Sequence, residues 1–141
     1  NSGQSFAIML IDLDRFKTIN DTFGHSIGDE VLIEVANRMR NTLRGIDLAA
    51  RFGGEEFLIC MPMTTLVDAR NAAERLRTAI CGTPVTQTSD GVPVSVSASI
   101  GLSMGGDTNA SIETLLQISD RALYGAKAEG RNQVTLGSHA A

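Results

Sequence analysis

An α+β domain, its sheet containing at least one antiparallel pair and covered by helices, is the fold class this sequence predicts. Three observations carry the prediction. The chain opens on the apolar run Phe6-Ala7-Ile8-Met9-Leu10-Ile11, short and bounded by polar residues, which is the pattern of a buried strand. Two further apolar runs, one reaching Arg51-Phe52 and one starting at Phe57, flank Gly53-Gly54-Glu55-Glu56 as the arms of a hairpin flank its turn. Between and after these, apolar residues recur with the helical period.

Each element follows from its own pattern. Gly24 to Gly28 reads as a flexible break, and from Asp29 to about Leu43 the residues Val31, Leu32, Val35, Ala36, Met39 and Leu43 share one helical face, with Gly45 as the stop. A second amphipathic helix runs from about Leu66 to Ile80. Strands are expected at Pro84 to Thr88 and from Val92 to Ile100, around a Ser89-Asp90-Gly91 turn. A last helix spans about Ser111 to Glu129, ended by Gly130, and a closing strand covers Gln133 to Leu136. The order strand, helix, hairpin, helix, strand, helix, strand is close to the ferredoxin-like arrangement, with the sheet covered mainly on one face. The ends, residues 1–5 and 137–141, lack periodicity and read as ragged.

At 141 residues the chain is long enough for one hydrophobic core, so residues 1–141 are read as a single domain. A net charge of −4 and 4% aromatic residues argue against a nucleic-acid binder, which needs cations for phosphates and platforms for bases. No apolar run approaches a membrane span, so no direct membrane contact is expected. Cys60 and Cys81 lack the spacing of a zinc site or redox pair and read as reduced thiols, consistent with a cytoplasmic location, including the cytoplasmic part of a membrane-tethered sensor.

The chemistry concentrates in two acidic segments. Adjacent carboxylates in one tight turn repel, and a turn explains Gly53 and Gly54 through positive φ without explaining Glu55 and Glu56. Asp12-Leu13-Asp14 follows the first strand, where alternation puts Asp12 and Asp14 on one face with the Leu13 carbonyl between them. If the hairpin lies in the same sheet, Asp12 and Glu55 meet at one edge as an oxygen-only cage, the donor set for magnesium together with substrate phosphates. Read without that turn, Asp12 and Asp14 are helix caps. Asp29 read alone is a helix N-cap, Lys17 a solvated lysine, and Lys127 and Arg131 complements to the negative end of the last helix.

Four segments, Asp12 to Asp21, Gly24 to Asp29, Arg51 to Phe57 and Asp120 to Asn132, together resemble the GGDEF family of diguanylate cyclases, in the family's order and over about Phe6 to Leu136. The resemblance implies a palm-type, nucleotide-cyclase-like fold and condensation of two GTP into cyclic di-GMP with release of pyrophosphate. It implies that Asp12, Glu55 and the Leu13 carbonyl hold two divalent ions per site, Mg²⁺ or Mn²⁺, and that Glu56 helps deprotonate the attacking 3′-hydroxyl. Glu55 stands where the family's name has Asp. Asn20 and Asp29 match the positions that read guanine, with Phe16 lining the base pocket; Lys17, Lys127 and Arg131 are cations for the triphosphate, and Gly53 and Gly54 admit its close approach.

Arg44-Gly45-Ile46-Asp47 matches the family's inhibitory RxxD site for the product, with Arg75 as a further contributor. An extended run from Asp47 to Arg51 spans ~16 Å, so this site is separate from the catalytic turn. One pocket per domain and two bonds per product imply a homodimer. The family's usual N-terminal helical segment is absent from this chain, so weak activity is expected of this domain alone, with the regulatory region outside it. The alternative reading is a non-catalytic receptor for cyclic di-GMP or GTP.

Overall fold

The computed structural model describes residues 5–106 and 110–138, so the expectation of ragged ends falls mostly outside the described residues. Where it can be checked it does not hold: Ser5 donates its hydroxyl to the Thr64 carbonyl at 2.9 Å, and the Gly137 amide donates to Leu102 at 2.7 Å.

Strand β1 (Phe6–Leu13) is central and β3 (Glu56–Met61) and β6 (Ala98–Gly105) pair with it on either side, both antiparallel. Strand β2 (Leu48–Arg51) joins β3 as an antiparallel edge, and β7 (Val134–Leu136) runs parallel to β6 at the other edge. The order β2-β3-β1-β6-β7 contains the ferredoxin-like core. Strands β4 (Thr86–Gln87) and β5 (Pro93–Val94) form a separate small hairpin, so the expected long strand through Val92 begins only at Ala98.

Alternation along β1 sorts its side chains to two faces. Ala7, Met9, Ile11 and Leu13 join the core containing Val31 and Val35 of α2 (His25–Thr42) and Ala69, Leu76 and Ile80 of α3 (Leu66–Cys81). Ile8 meets Leu115 and Ile118 of α4 (Ile112–Ala128) on the opposite face. Helices therefore cover both faces, not mainly one, because α4 and β7 extend the ferredoxin-like core. Buried serines seat α4: Ser119 donates to the Ile8 carbonyl at 3.0 Å, and Ser103 donates to Leu115 at the same distance.

Helix ends have specific causes. Thr65 and Ser111 cap α3 and α4 by accepting from the amides of Asp68 and Thr114. Arg38 of α2 spreads its guanidinium over the end of α3, donating to the carbonyls of Ala79, Ile80, Thr83 and Pro84 at 2.7–3.3 Å. Gly45 does not terminate α2; the helix ends at Thr42 with Leu43 extended. Gly130 does end α4, at φ 121°, and the left-handed Arg131 and Asn132 turn the chain into β7. Among the described residues no helix is long and apolar enough to cross a membrane.

The expected break at residues 24–28 is folded. A short helix α1 (Phe16–Phe23) precedes it, Gly24 turns at φ 93°, and α2 starts at His25.

Candidate active site

At the end of β1, Asp12 lies opposite Glu56 on β3 and Ser99 on β6. Directly paired residues of antiparallel strands project to one face, so Asp12 and Glu56 sit together beneath α4. Asp12 is 5% exposed, and a carboxylate so buried needs a counter-charge. Lys127, in the last turn of α4, supplies it through an ion pair with Asp12 Oδ2.

Glu56 feels the consequence. Burial pushes its carboxyl above the ordinary range, and the charge of Asp12 pushes it further, with smaller contributions from Glu55 and Asp120; Lys127 opposes them. The register thus gives Asp12 a direct partner in Glu56, whereas Glu55 lies one residue earlier, in the turn, where its carbonyl accepts from Leu13 N at 3.1 Å. Among the described residues no three acidic, histidine or cysteine side chains gather into a metal-ready group, and the expected cage asks for only two carboxylates and the Leu13 carbonyl. The donors nevertheless suit magnesium, which takes one or two carboxylates and fills its remaining positions with phosphate and water.

The turn differs from the expected two-residue hairpin. Residues 52–55 connect the strands, and neither Gly53 nor Gly54 is among the positive-φ glycines. At Gly53 the missing side chain has a neighbour to avoid, and at Gly54 it leaves the surface bare. A Cβ at Gly53 would lie 3.2 Å from Glu56 Oε1, while at Gly54 it would meet open space. Arg51, at the end of β2, ties the turn by donating to the carbonyls of Gly53 and Gly54 at 2.7–3.3 Å.

Beside the turn, Phe16, Lys17, Asn20, Asp29, Arg51 and Glu55 line a cleft of about 440 Å³, closed by Leu32 and Gly54. Because α2 begins at His25, Asp29 lies inside the helix and not at its cap, and its exposed carboxylate is available to a ligand. Lys17 lines the cleft but is 87% exposed and paired with Asp21 at 3.0 Å. Arg131 instead borders a neighbouring cleft of about 430 Å³ with Asp14, Arg15 and Asn132.

Asp14 is fully engaged. It accepts from the hydroxyls of Ser97 and Ser99, both at 2.6 Å, and from the Asn132 amide at 3.0 Å. It is a structural acceptor joining β1, β6 and the segment leading to β7. Replacing it with alanine strands those donors, and the expected loss of stability is about 2–4 kcal/mol in urea denaturation. An unchanged midpoint would show that the three bonds contribute nothing net.

Arg44 and Asp47 lie at the opposite end of β2 from the turn. Arg44 Nη2 donates to Asp47 Oδ1 at 2.7 Å, to the Pro62 carbonyl at 2.8 Å and to Thr64 Oγ1 at 2.7 Å. The hydrogen bond to Asp47 raises the guanidinium's pKa further, against the opposing effect of burial. Asp47's side chain is 0% exposed and Arg44's 42%, so the pair presents one half-exposed cation. Arg75 stands exposed on α3 and is not part of this network among the described residues.

A palm-type α+β domain, with acidic strand ends beside a nucleotide-sized cleft, is the class these features define. The chain belongs to the GGDEF family: residues 1–133 match the family described as diguanylate cyclase, GGDEF domain. Among curated relatives it is 48% identical over 132 residues to the response regulator PleD of Caulobacter vibrioides, covering 94% of this chain and 29% of PleD. The active GGEEF domain of a diguanylate cyclase from Vibrio cholerae superposes with a TM-score of 0.87 at 32% identity, covering 97% of this chain and 85% of that one. The GGDEF domain of DgcB from Caulobacter crescentus, in complex with c-di-GMP, gives 0.89 at 30% identity, covering 95% and 78%. Diguanylate cyclase A of Treponema denticola is 41% identical, and the chain spans 35% of its length.

Proposed function

We propose that this domain condenses two GTP molecules into cyclic di-GMP, releasing pyrophosphate, on the cytoplasmic side of the cell where GTP is found. The observation that carries the reading is the meeting of Asp12 and Glu56 across β1 and β3, with Lys127 against Asp12, next to the cleft lined by Asn20 and Asp29.

Guanine presents N–H donors and carbonyl acceptors on one edge. Asp29 accepts, and the Asn20 amide both donates and accepts, so together they match that edge. Phe16 packs the base. Asp12, Glu55 and the Leu13 carbonyl would hold the divalent ions, which when bound supply charge neutralisation at the triphosphate. Lys127, Lys17 and Arg131 add cationic charge for the phosphates, and the bare face of Gly54 leaves room for them.

The 3′-oxygen of one GTP attacks the α-phosphorus of the other, the bond to pyrophosphate breaks, and the hydroxyl proton passes to Glu56. Two such bonds are needed for one product, so a two-fold dimer presents one loaded pocket to the other. Product inhibition is assigned to Arg44 and Asp47, where the half-exposed guanidinium is already oriented, with Arg75 as a contributor.

Incubating the domain with GTP and magnesium and separating the products by chromatography is the test. Cyclic di-GMP and pyrophosphate should form, at a specific rate that rises with protein concentration because the dimer is the active species. Nucleotide binding without product at high protein concentration would instead identify a receptor domain.

A further inference from the structure

We infer that Gly28 is a positioning residue for nucleotide recognition, acting through the side chain of Asn20. Gly28 is buried at the fourth position of the 18-residue helix α2, with no positive φ that would require glycine. Glycine inside a helix is less favourable than alanine by about 1 kcal/mol, so its presence here needs another cause.

The neighbour of its bare Cα provides one. A Cβ at position 28 would lie 1.8 Å from Asn20 Oδ1 and 2.9 Å from Asn20 Cγ, with Phe16 Cζ at 3.4 Å. The first two distances are impossible contacts. The colliding atoms are the far end of a side chain, not backbone, so an added methyl would turn the Asn20 amide away and leave the helix pair in place.

That amide is open to a ligand. Asn20 is half-buried, and among the described residues its side chain makes no hydrogen bond. It lines the cleft shared with Asp29, so its donors and acceptor are held facing a ligand position by packing alone. Gly28 supplies the space for that orientation. The inference rests on the guanine-reading role proposed for Asn20 and identifies what sets that residue's geometry.

Binding of 3′-deoxy-GTP with magnesium, measured by calorimetry, tests this on four proteins: wild type, Gly28→Ala, Asn20→Ala and the double variant. The 3′-deoxy nucleotide lacks the attacking hydroxyl, so turnover does not interfere. Gly28→Ala should weaken binding about tenfold, the equivalent of one or two hydrogen bonds, while its melting temperature stays equal to wild type or rises. The double variant should bind no worse than Asn20→Ala, because Gly28 has nothing left to position. Additive losses, or Gly28→Ala binding equal to wild type, would overturn the inference while leaving the cyclase reading intact. A wild-type domain that fails to bind the nucleotide would overturn both.

Discussion

Glu56→Gln lowers the rate of product formation by about 10²–10⁴, the range for loss of a general base, while making the free domain more stable at neutral pH. Both effects have one origin. Glu56 sits opposite Asp12 in a partly buried position that favours the protonated carboxyl. A carboxyl whose folded pKa is raised favours folding in acid and loses that advantage as pH climbs from the ordinary glutamate range through the folded value. Above that window the ionised Glu56 opposes folding, and glutamine removes the opposition. Melting curves should therefore separate at neutral pH, with the variant higher, and converge in acid. Retained turnover would remove Glu56 from the chemistry; a variant less stable at neutral pH would show that the carboxylate is favourably paired.

Gly101→Ala should unfold the domain or come close to it. Gly101 lies on β6 between Leu10 of β1 and Thr135 of β7. A Cβ there would stand 2.0 Å from the Ser119 carbonyl oxygen and 2.4 Å from the Leu123 amide nitrogen, both backbone atoms of α4. Backbone inside a helix cannot rotate aside, so the helix must lift off the sheet. Lifting it breaks the Ser119 and Ser103 hydrogen bonds and opens the core around Leu115 and Ile118. Overpacking of this severity costs about 3 kcal/mol or more, against a total stability for small domains of only about 5–15 kcal/mol. Lys127 lies one turn beyond Leu123 on the same helix, so any folded remainder should also lose the pairing with Asp12. Urea denaturation decides the matter, and a wild-type midpoint would mean that α4 packs less tightly than its backbone distances state.

Periodic elements were legible in the sequence, and the packing demands at single glycines such as Gly101 were not. The strand Phe6–Leu13 and the helices near Leu66 and Ser111 were readable because a buried strand and an amphipathic face each have a period. Helix α1 was missed: eight residues give only two buried positions, Phe16 and Ile19, too few to establish a period. Missing it moved the start of α2 past Gly28 and turned Asp29 from a helix-interior carboxylate into a cap. Glycine is recognised in sequence as a conformational signal, and that reading worked for Gly130 but not for Gly53 and Gly54. At Gly53, and far more sharply at Gly28 and Gly101, the missing Cβ is what matters, and only the packed neighbour reveals it.

Within the acidic site, alternation placed Asp12 at the strand end, yet the facing carboxylate is Glu56, since register depends on the length of the turn. The pairing of Lys127 with Asp12, across 115 residues, has no local sequence signal. The separation of Arg44 and Asp47 from the catalytic turn was legible, because β2 is the extended run between them.

Manganese binding followed by electron paramagnetic resonance, with and without 3′-deoxy-GTP, tests most directly whether Asp12 and the glycine turn grip a cation under a triphosphate. Wild type should bind Mn²⁺ markedly more tightly when the nucleotide is present, and Asp12→Asn should lose that gain while still melting cooperatively. Equal nucleotide-dependent Mn²⁺ affinity in the folded Asp12→Asn protein would contradict the account.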